Sequence, residues 1–501
     1  MEVPEHPVER SNSNAAVGRL VIRNTLFLTG AQVIMIPLSI VINALTARYL
    51  GASEFGYIYL AGTICSFGFL VVEWGQAGVL PAAIARDHGQ ASAFLGTSVA
   101  WRVMLVGLVY PALALGCHLF GYNAELQWAL ALSFALATLS SFSNAFKDTI
   151  RGFERTDLPA YAQVGQQFLC ALLIAPVLVF GGRMRAALGV QVFVAAVVVV
   201  VLWPALRLVG VRTLSFQRAT LRSLLREGTP FVFFNLAMAL QPNIDAVFLS
   251  RLAPDEVMGW FAVTRRLLGV LLFPASALLS ALYPTLSRLH VSDQEMFNRT
   301  VRGSLYSIAL LVVPVALGCA LYPEIGISIF SRESFGPAED NLRVSALFLF
   351  LVYFSMPLGT CILAAGKQRA WSVVQSLCVL VSLVLDPILV PVFQRRYGNG
   401  GLGLCVAGVV SELLVVGCGI ALAPKGIFDR RFARLVGLAV LSGVAMALTA
   451  RGLKFLSLTP FLAAPLAVLV YGGALLLTGA IDKNQVASVR SMLGRKFSRP
   501  R

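Results

Sequence analysis

The sequence predicts an all-α integral membrane protein of about 14 transmembrane helices: two six-helix lobes related by a pseudo-two-fold axis along the membrane normal, plus two C-terminal helices. Three observations lead there. Of 501 residues, 57% are apolar and only 13% charged, against about half and a quarter in a soluble domain. The apolar residues gather into continuous runs long enough to cross a bilayer, not into the alternating runs of a barrel. The two halves also echo one another at matching places.

Taken in order, residues 1–23 are polar and carry acids. They read as a cytoplasmic tail, because a cleavable signal needs a basic start and a short apolar core. The N-lobe, 24–209, holds the runs 24–47, 56–84, 92–119, 125–147, 159–181 and 186–206. Residues 210–228 read as a basic amphipathic linker on the inner leaflet. Arg212, Arg218, Arg222 and Arg226 recur there near helical spacing, with Leu214, Leu221, Leu224 and Leu225 between them. The C-lobe, 229–422, holds 229–250, 257–287, 301–322, 341–365, 370–393 and 402–422. Two more runs, 435–452 and 458–480, fill 423–482, and 483–501 is a basic cytoplasmic tail. Pro37, Pro111, Pro274 and Pro387 fall inside spans, where neighbouring helices re-satisfy the freed backbone groups.

Charge tests this count. With the N-terminus inside and sides alternating, about 27 of the 40 Lys and Arg fall inside and about 9 outside. That sorting puts both termini in the cytoplasm of a multi-pass plasma (inner) membrane protein. The net charge of +16 then points to anionic membrane lipids as partners. It does not point to nucleic acid, since no basic–aromatic surface segment is present. The eight cysteines lie in apolar runs without a C-x-x-C pair, and the four histidines are scattered. Neither a disulfide framework, nor a metal site, nor a cofactor is expected.

The echo has two parts. "RYLGASEFGY" at Arg48–Tyr57 and "RLAPDEVMGW" at Arg251–Trp260 both run Arg, seven residues, Gly, aromatic. "GFER" at Gly152–Arg155 and "GKQR" at Gly366–Arg369 both follow the fourth run of a half. Parallel repeats of this kind are a transporter architecture, with the substrate site between the halves.

Charges within spans are costly, from about 3 to more than 10 kcal/mol at the bilayer centre, so they face partners or a wet cavity. Here they are Glu73, Arg102, Asp245, Arg265, Arg266, Arg343, Asp386 and Glu412.

Several segments in order, "LTARYLGASEFGYIYLAGTICSFGFL", "RGFERTDLPAYAQVGQQ", "PFVFFNLAMALQPNIDAVFLSRLAPDEVMGWFAVTRRLLG", "ILAAGKQRAWSVVQS" and "DPILVPVFQRRYGNGGLGLCVAGVVSELL", resemble the polysaccharide transporter family. That family belongs to the multidrug/oligosaccharidyl-lipid/polysaccharide exporter superfamily. The ordered set carries the likeness, over about residues 20–420. The resemblance implies two lobes around a central cavity and no enzymatic activity. It implies a flippase for a polyprenyl-diphosphate-linked oligosaccharide (an O-antigen, capsule or exopolysaccharide unit), working from inner to outer leaflet by alternating access. A carboxylate near the phosphate ligand can also bind a coupling cation, H+ or Na+, and glycan polymerase or synthesis proteins are candidate partners. Relatives that flip the peptidoglycan lipid precursor carry an Arg-Asp pair in the first helix. Ile42 and Asn43 stand there in this chain, which argues for another glycan lipid.

The candidate substrate-binding residues are Arg265, Asp245, Arg102, Asn43, Asn235 and Glu73. The resemblance singles out Arg265 for the diphosphate, which a planar guanidinium fork suits, and leaves Arg266 for a helix contact or interface. Each candidate has a second reading. Asp245 and Asn235 also fit inter-helix hydrogen bonds, Arg102 fits snorkelling near the inner interface, and Glu73 matches the family's acid-x-Gly element and fits a helix break. Two rival functions remain: a cation-coupled multidrug exporter of the same superfamily, and a membrane glycan polymerase or ligase. The second is disfavoured by short outer loops and the absence of any catalytic grouping.

Overall fold

The structure, a computed structural model, describes the backbone of residues 7–424 and 426–480. Residues 1–6 and 481–501, with the predicted C-terminal tail, lie outside the described residues. Among the described residues all regular structure is helical. Lipid explains this, because an unpaired N–H or C=O in hydrocarbon costs several kcal/mol and a helix pairs them all within one segment. Among the described residues, twelve segments are long and apolar enough to cross a membrane. The first, Ile34–Arg86, is 53 residues long and covers two of the predicted spans.

Two compact units divide the chain, Met1–Val247 and Phe248–Arg501. The first contains α1 (Pro7–Glu73), α2 (Gln76–Arg86), α3 (Ala91–Leu119), α4 (Ala124–Gly152), α5 (Asp157–Val179), α6 (Met184–Leu208) and most of α7 (Arg218–Leu252). Gly51 interrupts α1 with φ 75° and ψ −179°, a conformation that a Cβ disfavours, and so separates the first two spans. Asn123 starts α4 by accepting from the Leu126 N–H at 2.9 Å. α4 is the hub of this unit and packs on α1, α2, α3 and α6. Ile84, Leu95, Ile150, Leu202 and Leu224 form its buried core at one end.

The predicted linker is only partly separate. Its second half, Arg218 onward, is the first stretch of α7, which runs unbroken to Leu252. The boundary between units therefore falls inside a helix, well beyond residue 228. Residues 211–217 are irregular and are strapped to the start of α3. The Ser215 N–H donates to the Ser92 carbonyl at 3.3 Å, and the Gln217 N–H donates to Thr97 Oγ1 at 3.1 Å. The Ser92 hydroxyl donates to the Thr213 carbonyl. Gly96 permits this contact, since a Cβ there would fall 2.5 Å from the Ser215 backbone.

The second unit holds α8 (Asp255–Ser292), α9 (Gln294–Leu321), two short helices α10 (Pro323–Ser328) and α11 (Arg332–Phe335), α12 (Ala338–Ala364), α13 (Gln368–Tyr397), α14 (Gly400–Leu422), α15 (Arg430–Phe455) and α16 (Pro460–Leu477). α12 is its hub and packs on α8, α9 and α14. α4 and α12 each coincide with the fourth predicted span of a half, so each unit is organised around the equivalent helix. The added pair α15–α16 packs on α9, and the Tyr322 hydroxyl donates to the Ala450 carbonyl at 2.9 Å. All eight cysteines are free.

Lipid tails are as apolar as leucine, so helix association here depends on close packing and not on a hydrophobic drive between helices. α13 and α14 meet at Gly403, where a Cβ would fall 2.7 Å from the Leu389 carbonyl oxygen. Gly403→Ala is therefore expected to destabilise the second unit by about 1–3 kcal/mol. Gly417→Ala, on the same helix with open space around it, is expected to stay within about 0.5 kcal/mol of the parent. Thermal melts of the two purified variants check the contrast.

Candidate functional site

A polar site of the first unit forms where α1 ends and α2 begins. Trp74 and Gly75 take φ of 42° and 66°, so the helix stops at Glu73 and restarts at Gln76. Such angles are strained for Trp and easy for Gly. The break is held by the first part of α7. Trp74 Nε1 donates to the Leu225 carbonyl at 3.2 Å. A Cβ on Gly75 would fall 2.3 Å from the Gly228 carbonyl oxygen.

Arg102 enters from α3 and is 1% exposed. One guanidinium nitrogen donates to the Ser141 carbonyl at 2.5 Å and to its hydroxyl at 2.6 Å, and lies 3.8 Å from a Glu73 carboxylate oxygen. At an effective dielectric near 20 that ion pair is worth about 4 kcal/mol gross. Glu73 is a third exposed, so water reduces this. Burying a guanidinium costs several kcal/mol, so the pair alone does not offset it. The two bonds to Ser141, each of about 1.5–3 kcal/mol for a charged donor, offset a further part of it. Arg102 is thus anchored inside the bundle and does not snorkel.

α4 completes the group. Lys147 and Asp148 are 5% and 4% exposed, and Arg151 donates to Asp148 at 2.8 Å. Apolar patterning ends the fourth span at 147, which puts Lys147 on its border and Asp148 and Arg151 in the following loop, and it singles out none of the three. α4 in fact continues to Gly152. The available signal was the spacing of Lys147 and Arg151, four residues apart on one face.

The other candidates stand elsewhere. Asn43 is half-buried and bonds its own helix, its amide donating to the Ser39 carbonyl at 2.7 Å. Asn235 is exposed on α7, while Asp245, ten residues on, is 8% exposed. Arg265 on α8 is half-buried with its guanidinium 5.6 Å from the Phe261 ring centroid, and Arg266 beside it is exposed. So Glu73 and Arg102 come together, Asn43 does not join them, and Asp245 and Asn235 share α7. In the second unit Asp386 and Glu412 are buried, and the Ser355 hydroxyl donates to Glu412. Arg343 is exposed and pairs with Asp340. Among the described residues no group of three or more His, Cys, Asp or Glu side chains could hold a metal ion.

The model of the polysaccharide biosynthesis protein family matches residues 21–290, and the MatE family model matches 230–388. Among solved structures, the inward closed lipid II flippase MurJ superposes with a TM-score of 0.69 at 14% identity, covering 90% of this chain and 98% of that one. An inward-facing multidrug resistance MATE family transporter of the MOP superfamily gives 0.57 at 15% identity, covering 80% and 94%. A MOP superfamily transporter from Pyrococcus furiosus, described as having reverse polarity of its binding pocket, gives 0.52 at 16%, covering 80% and 95%. No curated protein matches the sequence. The fold is shared with these flippases and transporters, and the first family model spans more than half the sequence. The chain belongs to the polysaccharide biosynthesis protein family.

Proposed function

We propose that the protein is a flippase that moves a polyprenyl-diphosphate-linked oligosaccharide, such as an O-antigen, capsule or exopolysaccharide unit, from the inner to the outer leaflet by alternating access. One observation carries this reading: a member of a polysaccharide biosynthesis family keeps charged side chains of both signs inside its apolar helices. Hydrocarbon tolerates such groups only where they meet each other, water or a charged passenger. A lipid-linked glycan supplies the passenger. Its diphosphate must cross the low-dielectric layer, while its lipid tail stays in the bilayer throughout.

In this reading Arg265 grips the diphosphate through its fork of N–H donors. Asp245 limits the grip and offers a carboxylate for a coupling cation, H+ or Na+. Asn235, exposed on α7, meets sugar hydroxyls. Asn43 stands where peptidoglycan-precursor flippases carry a charge, which favours a different glycan lipid. Both termini lie in the cytoplasm, beside the enzymes that build the glycan. A second reading, a cation-coupled multidrug exporter, is favoured by the MatE match over 230–388.

Arg265→Ala is expected to insert normally yet lower outer-leaflet glycan at least about tenfold, the loss of one charge-assisted contact. Arg265→Lys restores it only in part if the planar fork matters. Glycan display measured on intact cells checks both, and near-normal display by Arg265→Ala removes the assigned role. The exporter reading makes the opposite forecast: expression in an efflux-deficient host raises resistance to cationic dyes. The flippase reading expects resistance unchanged.

A further inference from the structure

The charges around Glu73 do not cancel. Arg102, Lys147, Asp148 and Arg151 share one electrostatic neighbourhood with it. Three formal positive charges against two negative ones leave a surplus of +1. Asp148 and Arg151 satisfy one another at 2.8 Å. That leaves two bases, Arg102 and Lys147, which are 1% and 5% exposed, to share the single carboxylate of Glu73. An isolated surplus charge in hydrocarbon is costly enough to demand a counter-ion.

The uncharged donors lean the same way. Gln76 is fully buried and receives a bond from the Ser98 hydroxyl at 2.5 Å, which fixes its amide one turn along α3 from Arg102. Its Nε2 has no acceptor, and neither has Arg102 Nε. Both are N–H donors, and both belong to side chains at most 1% exposed. A surplus cation and unused N–H groups at one place call for an oxygen-rich anion. Glu73 and Arg151 are each a third exposed and leave a way in. The place is also set back from the helix ends. Lys147 is five residues from Gly152 and Arg102 eleven from Ala91, about 8 and 16 Å along their helices.

We propose that the α1–α2 break is an anion station that takes the oxygens of a diphosphate. Arg102, Lys147 and Gln76 donate, and Glu73 weakens the hold so that the ligand can leave. Only the lipid-borne identity of that diphosphate rests on the flippase reading; a free diphosphate satisfies the same donors.

The test measures binding of inorganic pyrophosphate to the purified full chain in nanodiscs, in an Arg265→Ala background that removes the other assigned phosphate ligand. Saturable binding is expected. Lys147→Met should weaken it at least about tenfold, the loss of one charge-assisted donor, and Lys147→Arg should recover most of it. Glu73→Gln keeps the side-chain volume but raises the surplus to +2, so it should tighten binding. A merely structural Glu73 would not do this. No saturable binding, or an affinity that neither Lys147→Met nor Glu73→Gln moves, or one that both weaken alike, overturns the proposal. Competition by polyprenyl diphosphate placed in the nanodisc assigns the lipid-borne source, and failure to compete assigns the soluble one. Glycan display is scored separately, so a failure of Arg265 as transport residue leaves this measurement intact.

Discussion

Hydrocarbon gives a polar group nothing to bond to, and each feature of this protein answers that constraint. It forces the backbone into helices. It makes Ser and Thr turn their hydroxyls back onto their own helices, as Thr46 and Thr138 do. It also decides how Arg102 is held. The guanidinium does not reach for solvent; it takes a carbonyl and a hydroxyl from one residue of a neighbouring helix and leaves Glu73 to supply charge. Remove the constraint and the group around Glu73 would be an ordinary surface cluster worth little. Inside the bundle it is a commitment that only a specific neighbour or passenger can balance.

The hub helices follow from the same logic. Without a hydrophobic drive between helices, packing must be tight, and tightness favours a central helix touched on several sides. α4 fills that place in the first unit and α12 in the second. Because α4 is enclosed, its polar end is enclosed with it. Lys147 and Asp148 are thereby drawn out of solvent, whereas similar residues at the end of a peripheral helix stay wet. Architecture and chemistry are linked at that point: the helix best placed to organise the lobe also carries charge into it.

Much of this was legible in the sequence, and the limits have physical causes. Runs of apolar residues leave little choice in lipid, so the predicted spans fall on helices, although 56–84 runs across the break between α1 and α2. The boundaries were less legible. The fourth span ended early because composition turns polar at Lys147 before the helix ends, and hydropathy does not register which neighbours will cover a lysine. Composition sets the linker apart from the next span, yet its basic half is the first part of α7; a charged helix and an apolar helix can be one helix when only part of it meets lipid. Of the candidate residues, Glu73 and Arg102 stand on separate spans in the sequence and the fold joins them. Nothing in the spacing of residues 73 and 102 announces that meeting. Asn43 stands out by its place in a motif, yet its amide is occupied within its own helix.

The strap over Gly96 has a consequence for how the chain can be handled by evolution or by the bench. Residues 211–217 are the sort of irregular, polar stretch into which tags, fluorescent modules and new domains are usually spliced. Here the stretch is clamped by two backbone N–H groups and seated against a position where even one extra carbon atom collides. What reads as slack is a fastening. Lengthening it would free the beginning of α7 from α3 and, with it, the Trp74 and Gly75 contacts that α7 maintains, so an insertion made for convenience would be felt at the turn beside Glu73.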